Sequence, residues 1–261
     1  MSSVLATGRV SGRFGRGLHA LLSGVWLGLL SDGQLRRLDE RYYARDPLYL
    51  SESWNSQGLS PWEQKAVTHS FQPGSRLVVP ACGGGREILA LLQQGYDATG
   101  YEPHPELVGY ARTFMARHGH PGRALPMRRD RFPDVGSCDG VLVGWGGYSL
   151  IAPRAARLQF LRDLATAAVP GAAVVLSAFA RPRHDRALRL TRSVALRLRR
   201  MQRRDGDLEL GDTLAPNRVH VFTVEELADE LRQAGLGVNS CNVVDAAGAD
   251  TDYLCAVARV S

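Results

Sequence analysis

Residues 76–92, RLVVPACGGGREILALL, have the residue types and spacing that best suit ligand binding in this sequence. A short apolar run, residues 77–79, enters a turn with three consecutive glycines, residues 83–85, and a helical pattern follows at once. A second apolar run ends in an acid, Glu102, about seventeen residues after the turn. Glycines let the backbone approach a ligand closely, and a carboxylate at a strand end accepts hydrogen bonds from ribose hydroxyls. The pattern therefore predicts a strand–turn–helix–strand unit that binds a nucleoside.

The same stretch resembles the first motif of the class I S-adenosylmethionine-dependent methyltransferases, in which an acid precedes three alternating glycines. Gly83 and Gly85 match the second and third glycines, and Glu102 matches the ribose-binding acid. Two positions depart from the motif, because Val79 stands where the family usually has an acid and Ala81 replaces the first glycine. Alanine is a mild change if its φ is negative, whereas Val79 removes a carboxylate that often organises the pocket around the methionine amino group. The resemblance implies S-adenosylmethionine as the cofactor.

Other nucleotide ligands fit this turn less well. A dinucleotide motif requires a further glycine, and Ile88 occupies its position. A nucleoside triphosphate loop requires Gly-Lys followed by Ser or Thr, but the single lysine of the chain, Lys65, precedes the first strand. Both phosphate-binding interpretations are therefore disfavoured.

Ligands of open α/β sheets bind at the carboxyl ends of the strands, which places the predicted cofactor site in four segments of the chain. Asp130 resembles the family's acid after the third strand, which accepts a hydrogen bond from the adenine amino group, and a loop acid in a run of arginines is the alternative. The predicted cofactor-binding residues are Pro80, Ala81, Cys82, Gly83, Gly85, Glu102, Pro103, Asp130, Arg131, Gly144 and Trp145.

Residues 144–148, GWGGY, follow the fourth strand, where this family meets its substrate. They differ from the Asp/Asn-Pro-Pro-Tyr sequence of enzymes that methylate base amino groups, and no cysteine for cytosine-C5 chemistry lies between residues 140 and 153. The predicted substrate contacts are Tyr148, Tyr42, Tyr43 and His220. The aromatic cluster around Tyr42, Tyr43 and Trp54 suits either a lid over the donor or a packing patch. Although His220, His184 and Tyr148 are candidate bases, no catalytic residue is assigned.

The elements needed to position these residues follow an alternating order. Strands are predicted at residues 76–80, 97–102, 123–128, 140–144, 172–179, 236–244 and 253–260, with helices between them. This order predicts a doubly wound, mostly parallel seven-stranded α/β sheet with helices on both faces. Residues 1–71 are predicted to form an amino-terminal tail and helical cap, and residues 72–261 a Rossmann-like domain with an insertion at 181–217.

Composition sets the class of protein. The 261 residues, 44% hydrophobic and 22% charged, are typical of a soluble globular chain. The four cysteines lack CxxC or metal spacing, which predicts reduced thiols, no metal and a cytoplasmic location. The apolar run at residues 18–30 is shorter than the roughly 18 residues needed to span a bilayer. Although a basic stretch precedes it, as in a signal peptide, no small-residue cleavage site follows, so we predict a cap helix packed on the domain.

Residues 181–204 concentrate the positive charge of the chain. Ten arginines and one acid, Asp185, give this segment +9, so the remainder is close to −3 within a total of +6. Apolar residues recur there at helical spacing, which predicts an amphipathic basic helix inserted after the fifth strand. Such a helix suits a substrate lid, an anionic membrane or polyanion, or nucleic acid, although its lack of aromatic residues disfavours single-stranded nucleic acid.

The sequence thus predicts an S-adenosylmethionine-dependent methyltransferase that acts on a small molecule or peptide. An RNA methyltransferase that docks through the basic helix is the first alternative. A non-catalytic nucleoside-binding module is the second, because Val79 replaces the usual acid. The oligomeric state is left open.

Overall fold

The structure is a computed structural model that describes residues 13–44, 46–204, 208–214, 216–244 and 252–261. The helices are α1 Arg13–Leu29, α2 Asp32–Tyr43, α3 Glu52–Asn55, α4 Pro61–Ser70, α5 Arg86–Gln93, α6 Pro105–Arg117, α7 Arg154–Ala167, α8 Arg186–Met201 and α9 Val224–Gln233. The strands are β1 Arg76–Pro80, β2 Asp97–Glu102, β3 Ala124–Pro126, β4 Cys138–Val143, β5 Ala168–Phe179, β6 Asp212–Leu214, β7 Arg218–His220, β8 Leu236–Val244 and β9 Tyr253–Val260. Of the predicted amino-terminal tail, residues 1–12 lie outside the described residues.

Seven strands form one sheet in the order β3-β2-β1-β4-β5-β9-β8. The first five run parallel, whereas β9 is antiparallel to both β5 and β8. The predicted doubly wound, mostly parallel α/β sheet is confirmed. Because the strand order reverses between β1 and β4, the carboxyl ends of these strands leave a crevice of the kind in which such sheets bind ligands.

Both faces of this sheet are apolar, and β1 shows why. Side chains alternate along a strand, so Val78 packs with α7 and α9, while Leu77 and Val79 pack with α4, α5 and α6 on the opposite face. All three are buried. A run of consecutive apolar residues is what a strand covered on both sides requires.

The amino-terminal helices pack against the segment inserted after β5. Gly24 and Gly28 let α1 approach α8 closely, since a Cβ at either position would lie 2.7 Å from an atom of α8. Thr191 on α8 donates a hydrogen bond from Oγ1 to the Ala20 carbonyl (3.0 Å), and buried Arg199 donates from Nε to the Leu27 carbonyl (3.1 Å). The predicted packed helix at residues 18–30 and the predicted basic helix are therefore in contact.

Two features of this region differ from the sequence prediction. The helix α1 begins at Arg13, inside the tail predicted at residues 1–17, and the hairpin β6–β7 was not predicted. Among the described residues, no helix combines the length and hydropathy needed to cross a membrane.

Candidate active site

A cleft enclosing about 880 Å³, partly open to solvent, lies at the carboxyl ends of β1, β2 and β4. Its wall contains the glycine turn after β1, the acid that ends β2 and the GWG segment after β4. The segment that precedes β1 contributes a second wall, with Tyr43, Tyr49, Trp54 and Asn55.

The Glu102 carboxylate is fixed by two backbone groups. It accepts hydrogen bonds from the Gly83 N–H at Oε2 (2.9 Å) and from the His104 N–H at Oε1 (3.0 Å). Burial raises its pKa to about 7, while the two backbone donors act in the opposite direction. Further donors, such as two ribose hydroxyls, would favour the ionised form.

Backbone strain concentrates in this cleft. Ala81, Asp130 and Trp145 have φ values of 53°, 59° and 47°, and all three line the cleft. The condition of negative φ on which Ala81 would be a mild replacement for glycine is therefore not met. A left-handed conformation costs an L-residue about 1–2 kcal/mol. Strained residues of this kind cluster at functional sites, where the surrounding structure holds them.

A buried ionic cluster forms the side of the cleft next to Gly144. The Arg86 guanidinium lies 2.8 Å from each carboxylate oxygen of Glu63 and 2.6 Å from Oε1 of Glu87. It also lies 5.4 Å from the ring centroids of both Trp54 and Trp145. A Cβ at Gly144 would be 2.8 Å from Glu87 Oε1, so these carboxylates reach the end of β4.

The charge of this cluster is negative overall. Desolvation lowers the pKa of Arg86, but Glu87 and Glu63 outweigh it and raise that pKa above its usual value. Desolvation raises the pKa of the Glu87 carboxyl, and the Arg86 charge opposes this. With all three groups ionised, the cluster carries −1. It gives the cleft buried carboxylates even though Val79, buried in the core, has none.

A second cleft of about 640 Å³ adjoins the first and shares Arg129, Asp130 and Leu150 with it. Four arginines and three aspartates line it: Arg36, Arg129, Arg199, Arg218, Asp32, Asp39 and Asp130. Arg129 forms an ion pair with Asp39, and Arg36 Nη2 lies 3.3 Å from Asp130 Oδ2. Desolvation raises the pKa of Asp39 to about 6. Ionised throughout, this second cleft carries +1.

His104 lies at the cleft surface as a neutral imidazole. Burial, and then the charge of Arg129, lower its pKa to about 4. Its ring packs 4.7 Å from that of Tyr43, whose hydroxyl accepts a hydrogen bond from Asn217 Nδ2 (3.1 Å). The side chain therefore presents an uncharged surface beside Glu102.

Ten of the predicted site residues line the main cleft and five do not. Those that line it are Pro80, Ala81, Cys82, Gly83, Glu102, Pro103, Asp130, Gly144, Trp145 and Tyr43. Those placed elsewhere are Gly85, Arg131, Tyr42, Tyr148 and His220. No ligand contact of these residues is tested by this placement.

Tyr148 and His220, predicted substrate contacts, lie outside the lining of the main cleft, and both have buried hydrogen-bond partners. The Tyr148 side chain is fully buried and its hydroxyl donates to Glu230 Oε2 (2.7 Å). His220 is also buried, with Nδ1 2.8 Å from Asp212 Oδ1. Each polar group is thus held by a buried carboxylate away from the cleft.

The carboxylates around His220 already have arginine partners. Asp212 and Glu209 lie within ligand distance of each other and of His220, as in a metal site. However, Arg157 Nη2 lies 2.6 Å from Glu209, and Arg218 Nη2 lies 3.4 Å from Asp212. We interpret this trio as part of a charge-balanced ionic cluster.

The other three predicted site residues outside the cleft lining make local contacts elsewhere. Gly85 precedes α5 with φ 105°, and a Cβ there would lie 3.2 Å from Met115 Cε, so this glycine serves helix packing. Arg131 lies at the surface and pairs with Asp163 (3.4 Å). Tyr42 packs edge-on against Tyr43 with ring centroids 5.2 Å apart.

Several cleft residues were not among the predicted cofactor or substrate contacts: Gly84, Trp54, Asn55, Arg86, Glu87 and Arg129. Asn55 donates from Nδ2 to the carbonyls of Tyr49 (2.9 Å) and Ser51 (2.8 Å), and Gly84 fits beside it because a Cβ there would lie 2.2 Å from the Tyr49 carbonyl. The dense aromatic and polar pattern around residues 42–63 was the signal that could have found Trp54 and Asn55.

Comparison with known proteins finds similarity in structure only. No protein-family model matches the sequence, and no curated protein matches it. A methyltransferase from Methanosarcina mazei described as S-adenosylmethionine-dependent is similar at TM-score 0.59 and 21% identity, covering 77% of this chain and 98% of that one. The 1,6-didemethyltoxoflavin-N1-methyltransferase of Burkholderia thailandensis, with bound 1,6-didemethyltoxoflavin and S-adenosylhomocysteine, is similar at TM-score 0.60 and 18% identity, covering 89% and 92%. The [4+2]-cyclase SpnF is similar at TM-score 0.58 and 14% identity, covering 86% and 95%.

These similarities, at 14–21% identity, concern the fold. They agree with the strand order, the glycine turn after β1 and the acid at the end of β2. The chain has the Rossmann-like fold of the class I S-adenosylmethionine-dependent methyltransferases.

Proposed function

We propose that this protein is an enzyme that transfers a methyl group from S-adenosylmethionine to a small molecule or a peptide. The observation that carries the proposal is the Glu102 carboxylate, which the N–H groups of Gly83 and His104 hold at the carboxyl end of β2, next to the glycine turn after β1. A carboxylate at this position suits two ribose hydroxyls, and the adjoining glycine turn permits close approach of the ligand. S-adenosylmethionine supplies an electrophilic methyl group when it is bound.

The residues of the cleft fit the remaining parts of this cofactor. Asp130, at the rim, is the candidate acceptor for the adenine amino group. The carboxylates of Glu63 and Glu87 approach Gly144, where they would attract the ammonium group of the methionine part. This cluster substitutes for the acid that the motif lacks at Val79. Its negative charge also suits a cationic sulfonium, because Coulomb attraction is strong where water is excluded.

The acceptor would enter from the second cleft. That cleft meets the first at Arg129, Asp130 and Leu150, so an acceptor held there would face the donor. An excess of one positive charge favours an acceptor with an acidic group, such as a carboxylate. The Burkholderia enzyme binds a small molecule, 1,6-didemethyltoxoflavin, which supports a small-molecule acceptor here.

Positioning is the main catalytic contribution that these residues offer. Methyl transfer is an in-line displacement, and aligning two reactants while excluding water lowers its barrier. Trp54 and Trp145, with ring centroids 4.7 Å apart, form an apolar wall next to the Arg86 cluster. His104, neutral and beside Glu102, is available for hydrogen bonding in the main cleft.

The test combines donor binding with methyl transfer. We expect calorimetry to show micromolar binding of S-adenosylmethionine or S-adenosylhomocysteine, about −8 kcal/mol, and far weaker binding of NAD. Incubation with methyl-labelled donor should then label a small-molecule or peptide fraction of a cell extract. Tighter binding of NAD would refute the cofactor assignment. Donor binding with label only in RNA would favour the RNA alternative, and donor binding without any label would favour the non-catalytic module.

A further inference from the structure

Three arginines that line the second cleft each have a buried guanidinium nitrogen with no hydrogen-bond partner among the described residues. These nitrogens are Nη1 of Arg129, Nη2 of Arg199 and Nε of Arg218. Arg199 and Arg218 are only 4% and 8% exposed. A buried N–H group without an acceptor is destabilising, so such groups in folded proteins normally have a partner. Three of them in one cleft indicate a ligand that accepts hydrogen bonds.

Arg199 carries a charge that no carboxylate in the described ranges contacts directly. Its Nε donates to the Leu27 carbonyl (3.1 Å), and within those ranges it forms no ion pair. Burial, followed by the charge of Arg218, lowers the pKa of Arg199 below its usual value. A buried cation is costly unless an opposite charge and further hydrogen bonds offset its desolvation. Arg199 therefore favours an anionic ligand over a neutral one.

Aspartates orient the other two guanidinium groups and leave one nitrogen of each unpaired. Arg129 uses Nη2 in its ion pair with Asp39. Arg218 donates from Nη1 to Asp32 (3.1 Å) and from Nη2 to Asp212 (3.4 Å). Because a guanidinium is planar and rigid, these contacts also fix the direction of the unpaired nitrogen. Both donors are therefore oriented before a ligand binds, which lowers the entropic cost of binding it.

The three arginines reach the cleft from separate elements of the fold. Arg129 follows β3, Arg199 lies on α8 and Arg218 begins β7. The charged side chains that line the cleft sum to +1 when all are ionised. Water could accept hydrogen bonds from the three nitrogens, but it would leave this charge unneutralised. A single anionic group satisfies both the donors and the charge.

We propose that the unpaired nitrogens of Arg129, Arg199 and Arg218 bind a carboxylate group of the methyl acceptor. A carboxylate has two oxygens with about four lone-pair directions, so it can accept from all three nitrogens. One negative charge balances the cleft, whereas a phosphate dianion would leave it at −1. In taking the carboxylate to belong to the acceptor, this inference rests on the proposed function. The substrate class is then a carboxylic acid that reaches the donor past Asp130 and Leu150, which line both clefts.

The experiment measures the binding of benzoate to the full chain by calorimetry at constant ionic strength. Benzamide has nearly the same shape without the charge, and phenyl phosphate carries a dianion on the same ring. We expect benzoate to bind, and benzamide to bind at least about tenfold more weakly because the charge-assisted hydrogen bonds are lost. Phenyl phosphate should also bind more weakly than benzoate, because its second charge exceeds that of the cleft.

Arg199→Gln removes one of the three donors together with its charge. It should weaken benzoate binding between about tenfold and a hundredfold. The Kd of S-adenosylhomocysteine should stay unchanged, because Arg199 does not line the main cleft. The matched control is Arg200→Gln, at the exposed next position of α8, which should bind benzoate like the parent. If circular dichroism shows that Arg199→Gln does not fold, Arg129→Gln makes the same test, with exposed Arg128→Gln as its control.

Two results would overturn the proposal. One is a parent protein that does not bind benzoate, or that binds it no more tightly than benzamide or phenyl phosphate. The other is a folded arginine variant that binds benzoate as well as the parent does. Binding of S-adenosylhomocysteine without benzoate would refute the carboxylate site and leave the proposed function intact. Arginine-dependent binding of benzoate without S-adenosylhomocysteine would support the carboxylate site and refute the methyl donor.

Discussion

The ionisation of Glu102 gives the sharpest test of the candidate site. Burial raises the pKa of this carboxyl to about 7, so about half of the ligand-free protein is ionised at neutral pH. Ribose hydroxyls are donors here, and they bind the carboxylate better than the neutral acid. We therefore expect donor affinity to increase as the pH rises through 7.

The magnitude follows from the ionised fraction. With a pKa of about 7, that fraction is about one tenth at pH 6 and about nine tenths at pH 8. If only the ionised form binds, Kd should fall about tenfold between these pH values, or about 1.4 kcal/mol. Calorimetry of S-adenosylhomocysteine at several pH values measures this directly. Glu102→Gln provides the control, because titration of the ligand itself affects both proteins equally.

The same shift determines how stability depends on pH. The folded-state pKa of Glu102 lies above the ordinary value of 4.5, so the native protein binds more protons than the unfolded chain between about pH 4.5 and 7. The contribution of this group to stability is fully present below that window and is lost as the pH rises through it. Glu102→Gln should remove this component. An equal pH dependence of Kd in parent and Glu102→Gln would show that the carboxylate does not hold the donor, and the reasoning would fail.

Three further predictions, one with a matched control, test the surrounding structure. Ala81→Gly should raise the free energy of unfolding by about 1 kcal/mol in urea denaturation, because glycine adopts positive φ without strain. Tyr148→Phe should lower the free energy of unfolding by about 1–3 kcal/mol, because it removes a buried hydrogen bond. The Kd of the methyl donor should stay unchanged, and a higher Kd would indicate that Tyr148 contributes to the site. Arg199→Gln should lower the thermal midpoint, since its buried guanidinium binds α1, whereas Arg200→Gln at the surface should change stability by less than about 0.5 kcal/mol. Equal effects of the last two would contradict the described packing.

The sequence predicted the parts of the fold that carry strong local patterns. The bounds of β1 and β2 match the prediction because a β-branched apolar run meets a glycine turn in one and an acid in the other. The hairpin β6–β7 was missed because strands of three residues show no periodicity. The strand predicted at residues 123–128 is shorter in the structure, where β3 has only three residues at the edge of the sheet.

Cleft residues could be predicted where their place at a strand end or in a turn brings them to the cleft. They could not be predicted where their burial depends on partners that are distant in sequence. Glu102 and Gly83 are such positions, and both line the cleft. Glu87, in contrast, lies on a helix where a charged residue is normally solvated. Its burial depends on Arg86 and on Glu63, which is 23 residues away in sequence from that arginine. The buried position of Tyr148 was equally hard to predict, since its carboxylate partner, Glu230, lies 82 residues further on.

The fold alone does not determine the reaction, because a [4+2]-cyclase is as similar to this chain as methyltransferases are. The distribution of charge is more informative. The inner cleft is lined by Glu87, Glu102 and Asp130 together with Arg86 and Arg129, a net charge of −1 when all are ionised, whereas the adjoining cleft carries +1. A cationic sulfonium would be attracted to the inner end and an acidic acceptor to the outer end. This separation of charge agrees with the proposed transfer from a cationic donor to an acidic acceptor.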